Sequence, residues 1–457
     1  MGTLKKIAEG TSWISAGQVV DLGFGLLVTF LLVRLLSVAD YGIYVLVLSV
    51  ATFFAALSDI GTASLVISKV PGARTDADRR ALLRGYRRFV LLISAGATLA
   101  LFAFADQAAL LLGIPEAALA IRIGSIAVLF QSLLTATQAV LVAFTHFKQT
   151  FRVTLMLELS RLVLIVLLIV GFGLGIEGAV LAYALSFLFA VLVGLFPVRA
   201  ATRTLARGAA SASFRALMHT EGKFAVGSHF LKQLRANAIL WAIALIAGPT
   251  YVAYYAIAMS VLAVFVIPLS ALEQTLYPLI ASVRAASKRT ASLMFAKAVK
   301  YGFLLSLLPA ALLVLLAGPL IILVFTPTYA FSLFFYRVLA FEVILAGISV
   351  AIRPLLFALG KQRDIFFANL VQLASLFLFI ALLLPIEPRL LTTAYVLASL
   401  IALIAYFAIV RANIRLPLRA FFTSDRIDRE VQAKLVAKLR SLPGLRRPRE
   451  RSAGAHR

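Results

Sequence analysis

No cysteine occurs among the 457 residues, so disulfides, thiolate metal sites and cysteine nucleophiles are excluded. Histidine is nearly as scarce: four are present, at His146, His219, His229 and His456, too widely scattered for a metal-ligand cluster. There is no H-E-x-x-H run, nucleophile elbow or Walker-type phosphate loop. Catalytic residues, metal ligands and cofactors are therefore not expected, and neither is an enzyme. Charged residues make up only 14% of the chain, against 62% hydrophobic, and the mean hydropathy is +1.01. Both fractions lie outside the range of soluble domains.

The apolar residues form long runs. About twelve are each long enough to cross a hydrocarbon core of roughly 30 Å as a helix. They start near Trp13, Tyr41, Tyr86, Ala117, Phe151 and Ile176, then near Phe224, Tyr251, Ala298, Ala330, Ile365 and Leu391. A membrane barrel would show alternating segments of about ten residues, so the runs predict an all-α integral membrane protein. The first run, Trp13 through Leu36, lacks a short core followed by a cleavage site and reads as a retained span.

The formal net charge is +25, from 44 Lys and Arg against 19 Asp and Glu. The cations collect in alternate loops rather than on a nucleic-acid-binding module, so nucleic acid is not an expected partner. Lys5 and Lys6 precede the first span. Lys69 to Arg88 follows the second, Lys148 and Arg152 the fourth, Arg199 to Lys223 the sixth, Arg284 to Lys300 the eighth, and Lys361 and Arg363 the tenth. The intervening loops are short and poor in cations, which predicts a multi-pass protein of the cytoplasmic membrane with both termini cytoplasmic.

Compared with itself at an offset of about 210 residues, the chain shows a weak internal repeat. Glu9-Gly10 matches Glu221-Gly222, Tyr41 and Tyr44 match Tyr251 and Tyr254, and Phe147-Lys148-Gln149 matches Gly360-Lys361-Gln362. Six spans per half make the repeat parallel, with a pseudo-twofold axis along the membrane normal and a cavity between two bundles. The expected divisions are 1–205, 206–412 and a basic cytoplasmic tail, 413–457. Within the tail, Asp425 to Leu442 reads as an amphipathic helix for anionic membrane lipid.

Ionisable side chains at bilayer depth cost at least about 2.5 kcal/mol on insertion scales, so each is a candidate for function or for structural pairing. Lys232 and Arg235 in span seven, Arg353 in span ten, Arg34 in span one and Arg161 in span five are candidate contacts for an anionic cargo. Asp21, Asp59 and Glu273 are candidate H+ or Na+ coupling carboxylates. Asp21 with Lys232 or Arg235 could equally form a structural pair across the bundles. Glu158, three residues before Arg161, could neutralise it. Glu273 lies between Pro268 and Pro278, where a kink could free backbone carbonyls for a cation. With no matching cation in the first half, the second half is expected to grip the anion.

Leu35-Leu36-Ser37-Val38-Ala39-Asp40-Tyr41-Gly42-Ile43-Tyr44, with Asp59-Ile60-Gly61, resembles the span-two signature of polysaccharide flippases in the multidrug, oligosaccharidyl-lipid and polysaccharide exporter superfamily. Tyr254-Tyr255-Ala256 with Tyr277-Pro278 is similar to its span-eight counterpart, and Ala358-Leu359-Gly360-Lys361 fits after span ten. The resemblance implies movement of a polyprenyl-linked oligosaccharide between leaflets by alternating access, with cavity cations on the phosphate linker. The alternatives are an ion-coupled multidrug exporter of the same fold and, further off, a membrane glycosyltransferase or polymerase, which would need a longer outer loop.

Overall fold

The computed structural model describes residues 2–59, 61–206, 214–286, 288–383, 385–387 and 390–413. The candidate tail helix at 425–442 lies outside them. Twelve long helices follow one another: α1 (Gly2–Leu35), α2 (Val38–Asp59), α3 (Asp76–Ala103), α4 (Ala118–Ala143), α5 (Phe147–Ile165), α6 (Gly175–Arg203), α7 (Phe214–Ala247), α8 (Pro249–Ala286), α9 (Lys288–Leu320), α10 (Ser332–Ser349), α11 (Gln362–Leu383) and α12 (Leu391–Asn413). Each contributes one segment long and apolar enough to cross a membrane, and no strand occurs among the described residues. We call the end of the bundle where α1 starts and α12 finishes proximal, and the opposite end distal.

Several helices start before their apolar runs. The run near Tyr86 belongs to a helix beginning at Asp76, because Thr75 caps it: the Thr75 hydroxyl accepts from Asp78 N at 3.1 Å and donates to the Asp78 carboxylate at 2.9 Å. This reciprocal cap carries the helix through the polar stretch holding Arg79, Arg80, Arg84, Arg87 and Arg88. α7, α8 and α9, at 34, 38 and 33 residues, likewise exceed the roughly 20 needed to cross hydrocarbon. α8 continues as helix through Pro268 and Pro278, on either side of Glu273.

Helix pairing repeats with an offset of six. In the first half α1 packs on α5, α5 on α6, α6 on α4, and α4 on α2 and α3; in the second, α7 packs on α11, α11 on α12, α12 on α10, and α10 on α8 and α9. The second half thus repeats the helix contacts of the first. Small residues let these pairs approach without a hydrophobic drive from water. The Cα positions of Gly302 in α9 and Gly347 in α10 each face the other's carbonyl oxygen so closely that neither site has room for a Cβ.

The halves meet where α2 lies on α7 and α8. On the α2–α7 side Trp241 Nε1 donates to Ser49 Oγ at 2.9 Å, and Phe53 packs edge-on against Trp241 with centroids 5.2 Å apart. α1 and α8, the related pair, touch only briefly. At the distal end a Cβ on Gly42 would overlap the Pro249 carbonyl, with its carbon at 2.6 Å. Tyr329, on the turn Pro327–Tyr329, covers this contact through edge-on packing against Tyr41 and Tyr254 at 6.4 and 6.0 Å. The distal end is therefore closed by backbone against backbone, under a lid of rings.

Two consequences are measurable. Gly347→Ala should destabilise the second half by about 1–3 kcal/mol through overpacking, read as a lowered thermal midpoint in detergent, and an unchanged midpoint would refute the close approach. Gly42→Ala should wedge the distal end open. In this cysteine-free chain, a single cysteine at Tyr329 should then react with maleimide several-fold faster than in a Gly42 background.

Candidate functional site

Between the halves lies a cavity of about 360 Å³. Its walls follow from helical spacing: Gly25, Val28, Thr29 and Leu32 form one stripe of α1, Tyr41, Tyr44, Val45 and Leu48 one of α2, Ala236 and Leu240 one of α7, and Tyr255, Ala256, Met259 and Ser260 one of α8. Arg161 of α5 and Tyr183 of α6 complete the first-half wall. That wall is phenolic and carries the cation, whereas the second-half wall is mostly small or apolar. The α1 and α7 stripes run on by one turn to Asp21 and Lys232, both exposed, toward the proximal end.

Arg161 is held from three directions. Its Nη1 donates to both oxygens of Glu158 at 3.1 Å, and Glu158 has no exposed surface. The guanidinium carbon sits 5.0 Å from the Tyr183 ring centroid and 5.6 Å from that of Phe187, inside the range of cation–π attraction. Nε is buried without a hydrogen-bond partner. Asp21 is the carboxylate that α1 brings toward Glu158 where α1 packs on α5. The sequence spacing foresaw the Glu158–Arg161 pair; the arrival of Asp21 beside it required the packing of α1 on α5.

Neither side chain of the span-seven pair is among the lining residues: Lys232 continues the α7 stripe one turn proximally, while Arg235, about 60° round the helix from it, points into the second half, with Nη1 3.4 Å from the Tyr395 hydroxyl and its carbon 5.6 Å from that ring centroid. Behind it, Ser399 Oγ donates to Glu342 Oε1 at 3.2 Å and Gln372 Nε2 approaches Ser399 Oγ at 3.4 Å. Among the lining residues the cation is Arg161, on the first-half wall, and Lys232 lies one helical turn beyond the α7 lining stripe.

The remaining candidates have local partners. Arg353 pairs with Glu273 at 2.8 Å. Arg34 lies 4.2 Å over the Phe30 ring on the distal part of α1, away from the cavity lining. Asp59 Oδ1 accepts from Thr62 Oγ1 and Ala63 N, both at 3.0 Å, and so anchors the short helix Thr62–Lys69. Of the four cavity phenols, Tyr41, Tyr44 and Tyr255 sit near helix starts, where tyrosine reads equally as an interfacial anchor, and Tyr183 lies within the apolar run of α6. Gln138 and Asn369 bond across helices to Thr154 and Tyr406, the role expected of such side chains.

Among solved structures, an inward-facing multidrug resistance MATE-family transporter of the MOP superfamily aligns at TM-score 0.72 and 15% identity, covering 90% of this chain and 96% of that one. The lipid II flippase MurJ in an inward closed conformation aligns at TM-score 0.73 and 12% identity, covering 94% and 92%. A MOP-superfamily transporter from Pyrococcus furiosus Vc1, described as having a binding pocket of reversed polarity, aligns at TM-score 0.68 and 15% identity, covering 92% and 97%. At these identities the likeness shows the fold. No curated protein matches the chain by sequence. The family model described as "Polysaccharide biosynthesis protein" matches residues 31–333, and the chain, a multi-pass membrane protein of the MOP transporter and flippase fold, belongs to that family.

Proposed function

We propose that this protein flips polyprenyl-(pyro)phosphate-linked oligosaccharides from the cytoplasmic to the outer leaflet of the cytoplasmic membrane, performing no covalent chemistry. The proximal end is then cytoplasmic, as the placement of cations predicts. The observation that carries the reading is the one-sided polarity of the cavity: Arg161 among phenols on one wall, Lys232 at the proximal continuation, and small or apolar residues opposite. A phosphate linker suits the cations, and sugar rings, with hydroxyl edges and apolar faces, suit tyrosine. The thin contact between α1 and α8 leaves a side route for a polyprenyl tail that stays in lipid. Membership in a polysaccharide-biosynthesis family supports a glycan cargo.

A multidrug exporter is the second reading, supported by the fold likeness to MATE transporters and by the Asp21–Glu158 carboxyl pair, which would suit cationic cargo or H+ or Na+ coupling. Liposomes carrying a fluorescent polyprenyl-pyrophosphate oligosaccharide separate the two. Lys232→Ala removes an exposed ammonium. The double variant Arg161→Gln/Glu158→Gln removes the wall cation while leaving an amide pair in its place. Each should slow leaflet exchange about tenfold or more, matching loss of a charge-assisted hydrogen bond of about 1.5–3 kcal/mol. Export of cationic dyes with no exchange by the wild type would favour the exporter.

A further inference from the structure

Resting on the reading that a cargo phosphate binds the first-half wall, we infer that Glu158 is an internal stand-in for the cargo anion at Arg161, and that its displacement takes up one proton into the Glu158–Asp21 pair. Glu158 is thus a positioning residue that holds the site until cargo arrives. Its hold is incomplete. A fork-to-fork pair would use two guanidinium nitrogens, but here one nitrogen, Nη1, serves both carboxylate oxygens and Nε has no acceptor. Tyr183 and Phe187 fix the plane of the group through ring contacts that consume no N–H donor. A phosphate oxygen entering from the cavity therefore meets a preset guanidinium with donors to spare.

The cost falls on Glu158. A carboxylate with no exposed surface that loses its cation is left as an unpaired buried charge. The charged and titratable groups facing it are few: Asp21 from α1, Tyr44 from α2, Arg161 on its own helix and Tyr183 from α6. None of these apart from Arg161 is a cation. Relief comes instead from a solvent proton shared by the Glu158 and Asp21 carboxyls, Asp21 being the exposed member of the pair. One anionic oxygen and one proton enter together, so the wall formed by Arg161, Glu158 and Asp21, counted with the bound oxygen, keeps the net charge it had when empty. On release the proton departs and Glu158 returns to Arg161, so the guanidinium is never left bare and the returning carboxylate helps expel the anion.

The test uses the full chain in detergent or nanodiscs with a sugar-free polyprenyl monophosphate as probe. Affinity is measured across pH, and proton uptake is read by an indicator dye in weak buffer. Wild type should take up close to one proton per bound phosphate, and its affinity should fall about tenfold per pH unit where the free pair is ionised. Glu158→Gln, whose amide oxygen can still accept from Arg161, should bind several-fold tighter with little pH dependence and no uptake. Asp21→Asn should also lose uptake. Binding by wild type without proton uptake, or Glu158→Gln binding no tighter, overturns the inference while leaving the flippase reading intact. Wild-type binding no stronger than that of Arg161→Gln/Glu158→Gln would overturn both.

Discussion

Hydrocarbon offers a charge no solvent, and an unpaired buried ion costs several kcal/mol, so the structure is organised around where each intramembrane ion finds its partner. Glu158 finds Arg161 three residues away and Asp21 from another helix. Glu273 of α8 finds Arg353 within the second half. Arg235 turns toward the Tyr395, Ser399 and Glu342 network. After these pairings, the polarity presented to the cavity is what remains: a partly satisfied guanidinium on one wall and an ammonium one turn below the lining on the other. The same demand applied to backbone amides makes every crossing a helix.

Pairing also makes two related bundles unequal. Their helix contacts repeat with an offset of six, yet the side chains that could have matched do not. Asp21 corresponds in the repeat to Gln233, and no first-half cation corresponds to Lys232 or Arg235. The seams differ too. α2 and α7 are joined by the Trp241–Ser49 hydrogen bond and the Phe53 ring packing, whereas α1 and α8 meet over a short stretch. A cavity with one charged wall and one loose seam can hold a polar head while leaving a hydrophobic tail in the membrane.

At the distal end the seal is made of backbone rather than charge. Gly42 allows α2 to touch the carbonyl of Pro249, and tyrosine and phenylalanine rings on the neighbouring turns fill the space above. The contact joins a glycine to a backbone carbonyl, so opening it strips no ion of its partner. Weak edge-on ring contacts, each about 0.5–1.5 kcal/mol, can separate and re-form as the halves move.

The sequence by itself determined the all-α membrane class, the dozen crossings and the family, because hydrophobic run length and loop charge are local properties that the bilayer reads directly. It also exposed Glu158–Arg161, since three-residue spacing on a helix guarantees proximity. Helix starts were less legible: Thr75 caps a helix ten residues before the apolar run that marked it. Tertiary structure alone decided which way Lys232 and Arg235 face, that Asp59 anchors a turn, that Gly42 meets Pro249 and that Asp21 joins Glu158. Each of these depends on the rotation of one helix against another, set by small side chains far apart in the chain, and no periodicity in a single helix records it.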